Sequence, residues 1–191
     1  MYRAVALKAK KEHIEIEDEE VLRHWVLSLQ LQFVTGKGGD LILCDGEEVT
    51  QALRSPEVSL LASDLSKRKG VREALVQLQR EMGRGGGVVL EGRDTGTVVF
   101  PKADVKFYLD ADAEERARRR HRELVEKGGD IDFKVTLEEV LKRDHNDMNR
   151  ALSPLRKAED AFLIDSTRWS AGEVVDMMVQ MVKSQAKGLR K

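Results

Sequence analysis

Three short apolar runs in the second half of the chain, separated by helical patterning, constrain the fold more than any other feature. They are Gly87-Val88-Val89-Leu90 leading into Glu91, Asp104-Val105-Lys106-Phe107-Tyr108-Leu109, and Ala161-Phe162-Leu163-Ile164-Asp165. Strands that alternate with helices pair in parallel, because each connection must cross back over the sheet. The helices between them carry start signals. Thr136 with Glu139 and Ser170 with Glu173 read as capping boxes, and Asp112 with Glu115 as a weaker one. Val174, Met177, Met178 and Met181 recur at i, i+3, i+4 and i+7, which predicts a stripe packed on the core. This half is expected to be α/β with a parallel sheet.

The first half reads differently. Residues 1–11 resemble the tail of a helix with Val5, Ala6 and Ala9 on one side, and a second helix is expected over about 18–27. Leu29-Gln30-Leu31-Gln32-Phe33 alternates with period two, and Thr35-Gly36-Lys37-Gly38-Gly39-Asp40 is a glycine-rich turn. Asp45-Gly46, between Leu41-Ile42-Leu43-Cys44 and Glu47-Glu48-Val49, is a hairpin signal. Together these predict a small antiparallel meander. Residues 56–82 are helical in pattern, with a break near Lys69-Gly70.

Composition removes several classes of function. At 191 residues the chain is one domain of ordinary size. Its 33 basic and 34 acidic residues nearly cancel, so it lacks the basic excess of a general nucleic-acid binder. A single cysteine, Cys44, forms no intrachain disulfide and no cysteine-rich zinc site. No apolar run is long enough to span a membrane, and the N-terminal residues show no signal-peptide pattern. A cytoplasmic location is expected. His13, His24, His121 and His145 show neither metal spacing nor an accompanying nucleophile motif.

The chemistry concentrates in two charged clusters. Glu91-Gly92-Arg93-Asp94-Thr95-Gly96-Thr97-Val98-Val99-Phe100 follows the first apolar run directly. Ligands of open α/β sheets bind beyond the carboxyl ends of strands. An arginine there can grip a phosphate bidentately, and an aspartate can accept from a base or sugar. Downstream, Arg143, Asp147 and Arg150 fall at i, i+4 and i+7, on one helix face. That face reads either as a solvated ion-pair ladder or as a repeat of the Arg-Asp chemistry, ended by the breaker Ser153-Pro154. The run Arg116-Ala117-Arg118-Arg119-Arg120-His121-Arg122 is either a solvated face partnered by Glu114, Glu115 and Glu123 or a polyphosphate clamp. A nucleic-acid patch is the weakest reading, since no aromatic is interleaved for base stacking. Ser63 and Arg72 precede the central run without a signal of their own, and Asp165-Ser166-Thr167 reads as a turn into a helix.

These motifs, in this order, resemble bacterial cytidylate kinases. The resemblance rests on Gly92 through Pro101, Phe107-Tyr108-Leu109-Asp110-Ala111 with Glu114-Glu115-Arg116-Ala117, and Arg143-Asp144 through Asp147 to Arg150. It continues in Ala151-Leu152-Ser153-Pro154-Leu155 and in Asp160-Ala161 through Ile164-Asp165-Ser166, and extends from Met1 to about residue 182. It implies an α/β fold of the P-loop nucleoside-monophosphate-kinase type. That fold has a parallel sheet with helices on both faces, a small antiparallel insertion within a nucleoside-monophosphate lobe (24–70), and a helical lid (116–138). It implies transfer of the ATP γ-phosphoryl group to CMP or dCMP, with Mg²⁺ accompanying ATP. The enzyme would be a monomer working on small molecules, with neither nucleic acid nor membrane as partner. Residue by residue, Arg3 is implied on the CMP phosphate beside Tyr2. Ser63, Arg72 and Asp94 would read cytosine, and Arg93 and Asp147 would contact phosphate and ribose. Arg143 and Arg150 would act on the transferring phosphoryl group, and Arg119 and Arg120 would belong to the ATP lid. No residue of the chain is implied as a metal ligand.

The chain departs from the family at its beginning. The family opens with a strand and a loop of the form Gly-x-x-x-x-Gly-Lys-[Ser/Thr], and no such run occurs here. Gly36-Lys37 is followed by glycine, with Leu31 at the place of the first glycine, and Arg84-Gly85-Gly86-Gly87 precedes an apolar run instead of following one. In the family fold the opening strand lies between those matching 88–91 and 104–109, so two strand edges are expected to be open or to re-pair here. The sequence is accordingly expected to be an N-terminally shortened reading of a longer protein, with Met1 an internal methionine. The chain as written is therefore expected to be an impaired cytidylate kinase with little or no activity, and a CMP-binding pseudokinase or fragment without turnover is the alternative.

Overall fold

The computed structural model describes residues 1–36, 39–126 and 128–188. The chain divides into two compact units, Met1–Val89 and Leu90–Lys191. The first contains α1 (Tyr2–Lys11), α2 (Glu19–Ser28), β1 (Leu31–Gly36), β2 (Gly39–Cys44), β3 (Glu47–Glu48), α3 (Pro56–Leu65) and α4 (Lys69–Met82). Helix α1 is buried almost all round, through Ala4, Val5, Ala6, Leu7 and Ala9, where one apolar side was expected. Small alanines let neighbours approach from several directions, and α1 packs against α3 while α2 packs against α4. The expected meander is present. Antiparallel pairing sets Leu31 opposite Cys44 and Phe33 opposite Ile42, then Leu43 opposite Glu48. The turn between β2 and β3 uses Asp45 at φ 50° and Gly46 at φ 80°, the left-handed pair that an Asp-Gly hairpin requires. Of the glycine-rich turn, Lys37 and Gly38 lie outside the described residues. The helical break falls just before Lys69, and Gly70 sits inside the first turn of α4.

The second unit holds β4 (Phe107–Asp110), α5 (Ala113–Glu126), α6 (Phe133–Asn149), β5 (Phe162–Asp165) and α7 (Ala171–Gly188). Strands β4 and β5 pair in parallel, Phe107 with Phe162 through Asp110 with Asp165, and the two Phe rings lie 6.0 Å apart. Lys106, 8% exposed, is anchored at the start of this pair: its Nζ donates to both carboxylate oxygens of Asp160 at 2.8 Å and to the Pro101 carbonyl.

Several expectations need correction here. Residues 88–91 form no strand, and Val88, Val89 and Leu90 are 50%, 100% and 38% exposed. A strand exists only through a ladder, and among the described residues the parallel sheet contains β4 and β5 alone. The capping residue of α6 is Asp132, which accepts from Lys134 N–H, not Thr136. Thr136 is fully buried one turn in, and its hydroxyl donates to the Asp132 carbonyl. The Ser170–Glu173 box is reciprocal as expected, while Asp112 caps through Glu114 N–H and Glu115 pairs with arginines instead. On α7 only Val174 of the expected stripe is buried, and the three methionines are half-buried. The architecture is mixed α/β and mostly helical, with a small antiparallel sheet and a two-stranded parallel sheet. Among the described residues no helix is long and apolar enough to cross a membrane.

Candidate active site

The second unit brings its two charged clusters together. After Glu91 the chain makes a single π-helical turn, Thr95–Val99, in which the Asp94 carbonyl accepts from both Val98 and Val99 N–H at 2.8 and 3.2 Å. Such turns are rare and concentrate at functional sites. Gly92 permits it: a Cβ there would lie 2.9 Å from the Thr95 side chain. The turn leaves Asp94 buried and Arg93 exposed, so adjacent residues serve different environments.

Each finds a partner of opposite charge from α6 or the residue that ends it. Arg93 Nε donates to Asp147 Oδ2 at 2.7 Å. Arg150 Nη2 faces Asp94 Oδ1 at 3.9 Å, with only 13% and 11% of the two side chains exposed. At that burial solvent screening is weak, so even a 3.9 Å separation is strongly felt. Arg150 is placed by the end of α6, which it caps in an extended conformation, and its Nε donates to the Ser153 carbonyl at 2.6 Å. Ser153 turns through φ 50°, and Leu155 N–H then returns to the Asp147 carbonyl at 2.8 Å. The Ser153-Pro154 breaker therefore folds the chain back under the site. Arg143 is exposed, one turn ahead of Asp147.

The basic run is heavily partnered. Arg116 bridges Asp110 at 3.3 Å and Asp144 at 2.7 Å, tying the end of β4 to α6. Arg119 donates to Glu115, to the Ser166 hydroxyl at 3.1 Å and to the Ser166 carbonyl at 2.6 Å. Arg118 pairs with Glu114 and Glu115, and Arg120 with Glu123. Ser166 itself donates to the Asp110 carbonyl, so it joins strand ends and belongs to the fold. Sequence reasoning missed the Arg116–Asp144 bridge and the Lys106–Asp160 anchor. A lysine inside an apolar run was the available signal for the second.

In the first unit, Arg72 is 4% exposed in the first turn of α4. Its guanidinium lies 5.8 Å from the Tyr2 ring centre, and Nη1 donates to the Ser66 carbonyl at 3.3 Å. A buried arginine over an aromatic face is a placed group, since the charge is held without a flexible tail in water. Arg3 is half-buried and donates to the Leu53 carbonyl at 3.1 Å, and Ser63 is exposed on α3.

The family model described as cytidylate kinase matches residues 1–184. The chain belongs to the cytidylate kinase family. It is 48% identical over 182 residues to the cytidylate kinase of Syntrophotalea carbinolica, covering 95% of this chain and 77% of that one. It is 47% identical over 181 residues to that of Caldicellulosiruptor bescii, covering 95% and 80% respectively. Against that of Bacillus subtilis it is 42% identical over 187 residues, covering 98% and 84%. The chain is thus a nucleoside-monophosphate kinase of a family that uses ATP as donor and CMP or dCMP as acceptor.

The Mg²⁺ expected with ATP has no cage in these residues: among the described ones no group of three or more His, Cys, Asp or Glu could hold a metal ion. Mg²⁺ commonly keeps several waters and binds through substrate phosphates, so a cytidylate kinase does not need such a cage.

Proposed function

We propose that this chain phosphorylates CMP or dCMP at the expense of ATP, through the residues that meet around Asp94. The supporting observation is the crossed pairing Arg93–Asp147 and Arg150–Asp94. Each of these arginines has its charge balanced by a carboxylate, ready to exchange that partner for phosphate oxygens. Asp94 accepts from the cytosine amino group, a donor that uracil replaces with a carbonyl. Arg72 and Ser63 contact the base, Arg3 and Arg93 the acceptor phosphate, and Asp147 the ribose.

The reaction is an in-line displacement. An oxygen of the CMP phosphate forms a bond to the γ-phosphorus, and the bond from that phosphorus to the bridging oxygen of ADP breaks. Charge spreads over the transferring oxygens, and fixed cations lower that barrier most. Arg143 and Arg150 act there, with Arg119 and Arg120 closing from a lid over 116–138. Mg²⁺, when bound with ATP, supplies further neutralisation of the phosphates. Residues 24–70 form the acceptor lobe of a P-loop nucleoside-monophosphate-kinase fold. The enzyme works as a cytoplasmic monomer.

The 191 residues contain no Gly-x-x-x-x-Gly-Lys-[Ser/Thr] run to cradle ATP phosphates, so by themselves they are expected to turn over slowly. The same fact favours a second reading, CMP binding without turnover. A coupled assay of ADP release with ATP, Mg²⁺ and CMP, with UMP in parallel, separates them. Slow release selective for CMP supports the kinase reading. No release, together with CMP binding, supports the second. Equal rates with CMP and UMP would contradict the role given to Asp94.

A further inference from the structure

Helix α4 begins at Lys69, yet its capping residue Arg68 makes no side-chain cap bond. The first N–H groups of a helix need acceptors from outside it. Here one acceptor comes from another helix. Glu19, in the first turn of α2, accepts the Gly70 N–H on Oε2 at 2.6 Å and the Arg68 Nε on Oε1 at 2.5 Å. Arg68 is gripped in turn, since its Nη2 donates to the Ile16 and Glu17 carbonyls, both at 2.8 Å. One carboxylate therefore faces the positive ends of two helices, its own and α4. The contact is steric as well as polar. A Cβ on Gly70 would lie 2.1 Å from the Glu19 carbonyl oxygen, so no larger residue fits. Together these fix both the rotation and the axial position of the first turn of α4.

Arg72 stands two residues beyond the gripped N–H. Its guanidinium is buried against Tyr2 and the Ser66 carbonyl, so a shift of the turn beneath it moves the guanidinium relative to those partners. We infer that Glu19 is a positioning residue for nucleotide selection, acting as a cap supplied by one helix to another and thereby setting where the Arg72 guanidinium sits. The inference rests on the reading of Arg72 as a cytosine contact. Misplacement of a recognition group by about 1 Å is enough to cost large factors in a site of this kind.

The test is calorimetric titration of the full 191-residue chain with CMP, UMP and inorganic phosphate, for the parent and for Glu19→Ala, Glu19→Gln, Arg72→Met and the control Lys69→Ala. The Arg72 Nε–Hε resonance is followed in parallel. For Glu19→Ala the preference for CMP over UMP is expected to fall about tenfold. Phosphate affinity should stay unchanged, and the Arg72 resonance should shift or broaden. Glu19→Gln, which keeps an acceptor for the Gly70 N–H, should lie between Glu19→Ala and the parent. It carries the test if Glu19→Ala does not fold. Lys69→Ala should match the parent. If Arg72→Met abolishes the preference while both Glu19 variants keep it, the inference about Glu19 is overturned and the reading of Arg72 stands. If Arg72→Met keeps the preference, or the parent shows none, the reading of Arg72 fails and the inference falls with it.

Discussion

The two units of this chain are built on different physics. Met1–Val89 has a continuous apolar core, running from Val5 on α1 through Leu22 and Val26 on α2 to Val71, Ala74 and Leu75 on α4. In Leu90–Lys191 the buried apolar residues, among those described, are Val99, Ala111, Ala117, Ile164 and Val174. Leu109, Leu163, Val175, Val179 and Val182 are each more than two-fifths exposed there. In this unit charge pairs tie distant elements together: Arg93–Asp147, Arg150–Asp94, Arg116–Asp144 and Lys106–Asp160. Apolar burial thus concentrates in the first unit, whereas charge pairs occur in both, in the first as Lys8–Asp45 and Arg68–Glu19. Truncating a buried side chain in the first should cost fold, and truncating a charge in the second should cost function.

The largest effect expected is on turnover. Arg150→Ala removes an arginine aimed at developing charge and should lower ADP release by about 10²–10³-fold, and because it leaves Asp94 buried without that partner it should also lower the melting temperature. A coupled assay beside thermal unfolding reads both, and near-normal turnover would return that helix face to a plain ion-pair role. In the first unit, Leu75→Ala empties a fully buried site and should destabilise by about 2–5 kcal/mol in denaturant unfolding. Val175→Ala on α7, 55% exposed, should change stability by no more than about 0.5 kcal/mol. Equal costs for the two would erase the contrast. Asp94→Asn should weaken CMP by about tenfold relative to UMP, while phosphate binding in the same titration stays within about twofold.

The smallest effects are those of pH. Asp160 is held below the usual carboxylate range chiefly by its bond to the Lys106 ammonium, and Asp165 and Glu173 by the Thr167 and Ser170 hydroxyls. For Glu19, desolvation pushes the other way, but the Gly70 N–H and Arg68 outweigh it and leave its carboxyl lowered. A depressed folded value stabilises above the ordinary carboxylate range, and that stability is lost as pH falls through the depressed values. The contribution of these carboxylates should therefore be lost only on the acid side, with Asp160→Asn blunting the decline in acid unfolding curves.

What could be read before the structure follows from range. The Asp45-Gly46 hairpin and the Ser170–Glu173 box depend on neighbours within a few residues, and both formed as expected. The Arg143, Asp147, Arg150 spacing marked one helix face, but the partner of Asp147, Arg93, lies 54 positions away and had no local signal. Thr136 misled because Asp132, four residues earlier, offers the same capping chemistry and starts the helix sooner. Residues 88–91 misled for a non-local reason: β-rich apolar composition makes a strand only where another strand lies beside it. The grip of Glu19 on Gly70 spans 51 positions and has no local signature.

Recognition of CMP over UMP is what the placement of Asp94 and Arg72 is proposed to achieve. The direct measurement is titration calorimetry of the 191-residue chain with CMP and UMP under identical conditions. CMP is expected to bind at least about tenfold more tightly, a difference of about 1.4 kcal/mol. Equal affinities, or no binding of either, would contradict the assignment of Asp94 and Arg72 to the cytosine base.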